Sequence, residues 1–159
     1  MTDAETPSEA SETPETPFID DVTPDELRVK DWMLEDLVRI FDNDGSAIGI
    51  TIQSNGATIS GLLIGADEYL RRVGETFEQS PVPDMKVLPE LWGKSLADTN
   101  DWLAERDSRG LARPARRFLH MRDARILTGS QPVNVPLWRG NLSDITGWAL
   151  GSIPSGQDD

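Results

Sequence analysis

The stretch from Ile48 to Ile64 restricts the fold more than any other part of the chain. Ile48, Ile50 and Ile52 alternate with Gly49, Thr51 and Gln53, the period of two expected of a strand with one buried face. Asn55-Gly56 follows. A type I′ turn needs positive φ at both central residues, and Asn-Gly meets that need at low steric cost, so the chain is expected to double back here. Ala57 to Ile64 is then the return strand. Gly61 inside it marks a bulge or a sharp bend. An isolated hairpin is marginal in water, so further strands or a helix must cover its apolar face.

Helical patterns lie on both sides. Thr23-Pro24-Asp25-Glu26 reads as a capping box with proline at the first helical position. Leu27, Leu34, Leu37, Val38 and Phe41 then recur at helical spacing, and Asp42-Asn43-Asp44-Gly45 stops the helix. Lys30 and Arg39 on its other face read as solvated. Ala66 to Phe77 predicts a second helix with Tyr69, Leu70, Val73 and Phe77 on one face, weakened by Gly74. Ser80 to Leu88, with Pro81 and Pro83, reads as a loop. Pro89 to Gly110 is ambiguous, with Ser95-Leu96-Ala97-Asp98 as a cap for a short helix through Trp102 and Leu103 to about Asp107. The span 80–117 reads as a variable insert between two β units. Phe118 and His120 resume strand alternation, Asp123 turns the chain and Ala124 to Leu127 follows. A loop runs through Gly129, Pro132 and Pro136. Leu137 to Leu142 and Thr146 to Ile153 are expected to form a final hairpin turning near Ser143-Asp144.

The ends differ in character. Glu5-Thr6-Pro7, Glu12-Thr13-Pro14 and Glu15-Thr16-Pro17 form an acidic, proline-rich run without a basic residue before Arg28. Such a segment buries too little apolar surface to offset its ordering entropy, so 1–22 is expected to be a disordered tail and 154–159 a short acidic one. Residues 23–153 are left as one β-rich domain. The net charge is −13, which makes naked nucleic acid and anionic membrane poor partners at long range. Without cysteine, disulfides and thiolate metal sites are excluded. The N-terminus carries no basic, apolar signal region and the longest apolar stretch is too short to span a bilayer, so the chain reads as cytoplasmic.

These elements predict an α+β, mainly β fold. The expected form is a small twisted antiparallel barrel or rolled sheet, Sm-like or SH3-like, with an N-terminal helix and a helix after the first hairpin. Residues for catalysis are sparse. His120 is the single histidine and reads as a packed or surface strand residue rather than a catalytic or metal-binding one. Asp42-Asn43-Asp44-Gly45 begins like a calcium loop but lacks a glutamate at the last ligand position. No phosphate-binding loop or dinucleotide fingerprint is present. Catalytic, cofactor-binding and metal residues are therefore expected to be none.

Two blocks carry a family resemblance. The first runs from Gly49 through Asn55-Gly56 to Gly61, continuing into Ala66-Asp67-Glu68-Tyr69-Leu70 and Glu75-Thr76-Phe77. The second is Phe118 to Ile126, followed by Leu137-Trp138-Arg139-Gly140 and Gly147-Trp148-Ala149-Leu150-Gly151. In this order and spacing they resemble the gas vesicle accessory protein U (GvpU) family, over about Trp32 to Phe77 and Phe118 to Ile153. Gas vesicles are hollow, air-filled protein shells that give buoyancy. The resemblance implies an accessory, non-enzymatic role in vesicle organisation, clustering or assembly, without a cofactor. Its implied partners are the vesicle shell or other gas vesicle proteins.

One charged cluster stands out. Arg106, Arg109, Arg113, Arg116, Arg117, Arg122 and Arg125 are diluted only by Asp107 and Asp123. They form either a solvated loop and strand face or a basic patch that meets an acidic surface. The acid would belong to another vesicle protein or to the N-terminal tail of a neighbouring copy, which would make the protein a homo-oligomer whose association is screened by salt. Arg113, Arg116, Arg117, Arg122 and Arg125, with Trp138 and Arg139, are the candidate partner-binding residues. An Sm-like RNA-binding module is the alternative reading.

Overall fold

The computed structural model describes residues 31–82, 85, 87–129 and 131–154. The expected acidic tail 1–22, the capping box at Thr23 and most of the C-terminal tail lie outside the described residues. The first described helix, α1, spans Trp32–Asp44. Its N-cap is Asp31, whose carboxylate accepts the backbone N–H groups of Met33 and Leu34, both at 3.1 Å, satisfying two of the free donors of the first turn. Gly45 ends it in the left-handed region at φ 61°, as the expected stop requires.

Strands β1 (Ile48–Ser54) and β2 (Ala57–Ile64) pair in register from Ile48–Leu63 to Ser54–Ala57. Asn55 and Gly56 take φ values of 50° and 79°, so the hairpin turns as its sequence dictates. Helix α2 (Ala66–Glu78) follows directly. Helix α3 spans Val87–Ser108, eight residues before the cap expected at Ser95. It ends in a Schellman motif: the Gly110 N–H reaches the Asp107 carbonyl and the Leu111 N–H the Arg106 carbonyl, both at 3.0 Å.

Three more strands complete a five-stranded antiparallel sheet in the order β4-β3-β2-β1-β5. They are β3 (Phe118–Thr128), β4 (Gln131–Asn141) and β5 (Ile145–Leu150). Asp123 does not turn the chain. It holds φ at 51° inside a continuous β3, where the register against β2 shifts between Ser60 and Leu62. Gly61 sits opposite this bulge, and a Cβ there would meet the Ala124 Cα at 2.9 Å and the Arg122 carbonyl at 3.0 Å. Pro132 and Pro136 do not form a loop either; they lie within β4. That strand is a sheet edge, so the N–H groups that proline lacks are not all needed for a ladder.

The expected final hairpin is replaced by a different connection. β4 pairs with β3 and β5 with β1, so the two strands are opposite edges of an open sheet. The closed barrel does not form. Only the short 3-10 turn Leu142–Asp144 joins them. Flat strands would place the edges about 19 Å apart at about 4.8 Å per gap, whereas the four Cα steps from Asn141 to Ile145 span about 14 Å at most. The sheet must therefore roll at this end. Its rolled face holds the core: Ile50, Ile52, Ile59, Leu63, Leu119 and Met121 are buried with Leu34 and Val38 of α1. Trp138 and Val135 from one edge and Trp148 and Ile145 from the other pack against the same cluster. Among the described residues, no helix is long and apolar enough to cross a membrane.

Candidate functional site

The opposite face of the sheet carries the site. Along β3, Leu119 and Met121 enter the core, so His120 and Arg122 face the other way. Cross-strand pairing of His120 with Arg139 and of Met121 with Trp138 sends Arg139 outward with the histidine and Trp138 into the core. Helices α2 and α3 stand over this end of β3 and β4. Between them lies a groove of about 880 Å³.

Its walls follow from the two helices. Tyr69, Leu70, Val73 and Phe77 form the apolar face of α2, and Trp92, Leu96 and Trp102 come from α3. Phe77 and Trp92 meet with ring centres 5.9 Å apart. The α2 face predicted from sequence does not enter the core: no α2 residue is fully buried. Val87 and Leu91 of α3 do not line the groove and are each 59% exposed. The sheet end of the groove is polar and basic. Arg116, Arg117 and Arg139 line it against a single lining carboxylate, Asp42.

His120 closes this end. Its ring lies 4.7 Å from that of Tyr69, and its Nε2 accepts the Nε–H of Arg139 at 3.3 Å. Burial, then the charge of Arg139, pushes its pKa down to about 4. It is thus a neutral, hydrogen-bonded groove residue. The Arg139 guanidinium also lies 3.5 Å over the Phe118 ring.

Most of the sequence-predicted arginines are used internally. Arg116 pairs with Asp42 at 2.8 Å, and its backbone N–H donates to the buried Glu35 carboxylate at 3.1 Å. Glu35 also holds Arg39 at 2.6 Å, so the face read as solvated is an ion pair. Asp42 accepts the Ala66 N–H at 2.8 Å and caps α2, whose own N-cap, Gly65, has no side chain for the task. Arg113 forks onto Asp107, which holds that carboxyl below its ordinary pKa. Arg122 meets Glu68 at 3.4 Å and Asp123 at 2.9 Å. Arg125 donates to the Pro154 carbonyl at 2.7 Å. Arg106 is buried, donating to the Ala112 carbonyl at 3.1 and 2.9 Å. Arg117 is exposed, and neither it nor Arg139 has an ion-pair partner among the described residues.

The groove therefore gathers Arg116, Arg117 and Arg139. It leaves Arg113, Arg122, Arg125 and Trp138 elsewhere. Sequence reasoning missed Trp92 and Trp102 as groove walls. Tyr69–Phe77 reads as an apolar helix face, but Trp92 and Trp102 lie in a stretch of weak apolar periodicity, and nothing in the pattern shows that the two meet. Among the described residues no group of three or more His, Asp or Glu side chains is arranged to hold a metal ion.

No curated protein matches the chain, and neither does any solved structure. A family model does, over residues 31–153, which include the five strands and three α-helices of the described residues and the groove. The chain belongs to the family described as gas vesicle protein GvpU-like.

Proposed function

We propose that this gas vesicle protein is a cytoplasmic, non-enzymatic accessory factor. It binds other vesicle proteins and further copies of itself, and so organises or clusters vesicles. The groove between α2 and α3 carries this reading. It pairs apolar walls containing two tryptophans with a basic end, inside a chain whose net charge is −13. Tryptophan and arginine are the residue types that dominate binding energy at protein interfaces, and here they lie on one surface. The neutral His120 acts as a wall of the groove rather than as a proton carrier.

The test adds the purified protein to purified buoyant vesicles and follows particle size by light scattering. Size should rise with protein concentration and fall back as salt screens the arginines. Vesicles that stay single at every ratio and salt concentration would rule out the clustering role.

A further inference from the structure

A segment of chemistry complementary to the groove lies within the same polypeptide. Residues 1–30 hold nine carboxylates against Arg28 and Lys30, more than half of the whole net charge. Between Thr2 and Glu26 the only large apolar side chains are Phe18, Ile19 and Val22, and Asp20-Asp21 lies between them. The groove presents the complement: an apolar wall at Trp92 and Trp102, and a basic end at Arg117 and Arg139. We propose that the Phe18–Val22 segment docks into its own chain's groove, its apolar side chains against the tryptophan wall and its two aspartates against the two arginines.

The chain is long enough. Asp31 caps the start of α1, and Asp42 near its end lines the groove. The helix covers about 17 Å between them, whereas the nine residues from Val22 to Asp31 reach up to about 30 Å. Tethering holds the segment at an effective concentration on the order of millimolar, so weak intrinsic affinity is enough to fill the groove. A vesicle partner must then displace the leader, which makes the leader a competitor for the vesicle-binding face. This consequence rests on the groove reading above; docking of the leader does not. If docking is found but vesicles are not bound, only the groove's role toward vesicles falls.

The full chain allows a direct test because it has no cysteine. A nitroxide on Thr16→Cys is read through the indole N–H signals of the five tryptophans, assigned by single Trp→Phe substitutions. The expected result is strong broadening of Trp92 and Trp102, with Trp138 on the opposite face unaffected. Phe18→Asp with Ile19→Asp, in the same labelled chain, should restore both signals to at least half of their diamagnetic intensity. In an equimolar mixture of spin-labelled, isotopically unlabelled chains with unlabelled-leader, isotope-enriched chains, broadening should disappear. Broadening that persists in the mixture would overturn the proposal in favour of docking between copies. Sharp Trp92 and Trp102 signals in the labelled chain would overturn it in favour of a different protein as occupant.

Discussion

Asp42 and Glu35 show how much of this structure depends on two carboxylates of one helix. Asp42 caps α2 and pairs with Arg116; Glu35 accepts the Arg116 backbone. Together they fix the segment that carries Arg116 and Arg117 to the groove. Asp42→Ala removes both contacts and should destabilise the protein by about 2 kcal/mol, about half from the lost cap and half from the ion pair. Asp42→Asn keeps the cap and should cost clearly less. Urea unfolding of both variants checks this, and equal losses would contradict it. His120 gives a second residue-scale prediction. Its pKa falls from 6.5 in the unfolded chain to about 4 in the folded one, so the unfolded state takes up the proton first as pH drops. The stability linked to this group is complete above about pH 6.5 and is lost between there and about pH 4, up to about 3 kcal/mol. His120→Gln should therefore gain on the wild type as pH falls from 7.5 to 4.5. An imidazole NMR titration centred near 6.5 would refute the burial argument.

Elements formed by local chemistry were the most legible. The β1–β2 hairpin has the bounds its alternation and Asn-Gly turn imply, and α2 begins at Ala66 as read. Gly61 marks a bulge or bend in the sequence; the structure adds that the extra residue belongs to β3, at Asp123. Gly61→Ala should cost about 2 kcal/mol, because the new methyl meets backbone atoms that cannot step aside. Gly56→Ala strains only a φ of 79° in open space and should cost about 1 kcal/mol. Thermal unfolding of the pair checks the order, and a costlier Gly56 change would contradict it. Less legible elements failed for physical reasons. Pro132 and Pro136 argue against a strand unless the strand is an edge, and edges are set by tertiary order. The first half of α3 contains Pro89 and Gly93 and buries no residue before Leu103, so its apolar pattern is weak. The expected final hairpin does not form: a short connection between two strands suggests pairing, whereas a rolled sheet lets a three-residue turn bridge opposite edges.

At the scale of the whole molecule, the rolled sheet separates two tasks. Its inner face, with α1, builds the core; its outer face supports α2 and α3 and the groove between them. No motif marked that groove, because its walls come from α2, α3, the start of β3 and the end of β4, and only the fold brings them together. The arginine run is visible in the sequence, but five of its seven side chains are held within the fold; of those lining the groove, Arg117, like Arg139 outside the run, makes no ion pair among the described residues. The central claim is that this groove holds the vesicle-binding surface. Co-flotation with purified buoyant vesicles, comparing wild type with Trp92→Ser and with Arg117→Glu, tests it most directly. Trp92 is 39% exposed and Arg117 makes no ion pair among the described residues, so both variants should fold, as circular dichroism would verify. The wild type should rise with the vesicles and each folded variant should lose about tenfold or more of that binding. Wild type left in the subnatant, or folded variants that float as well as wild type, would contradict the claim.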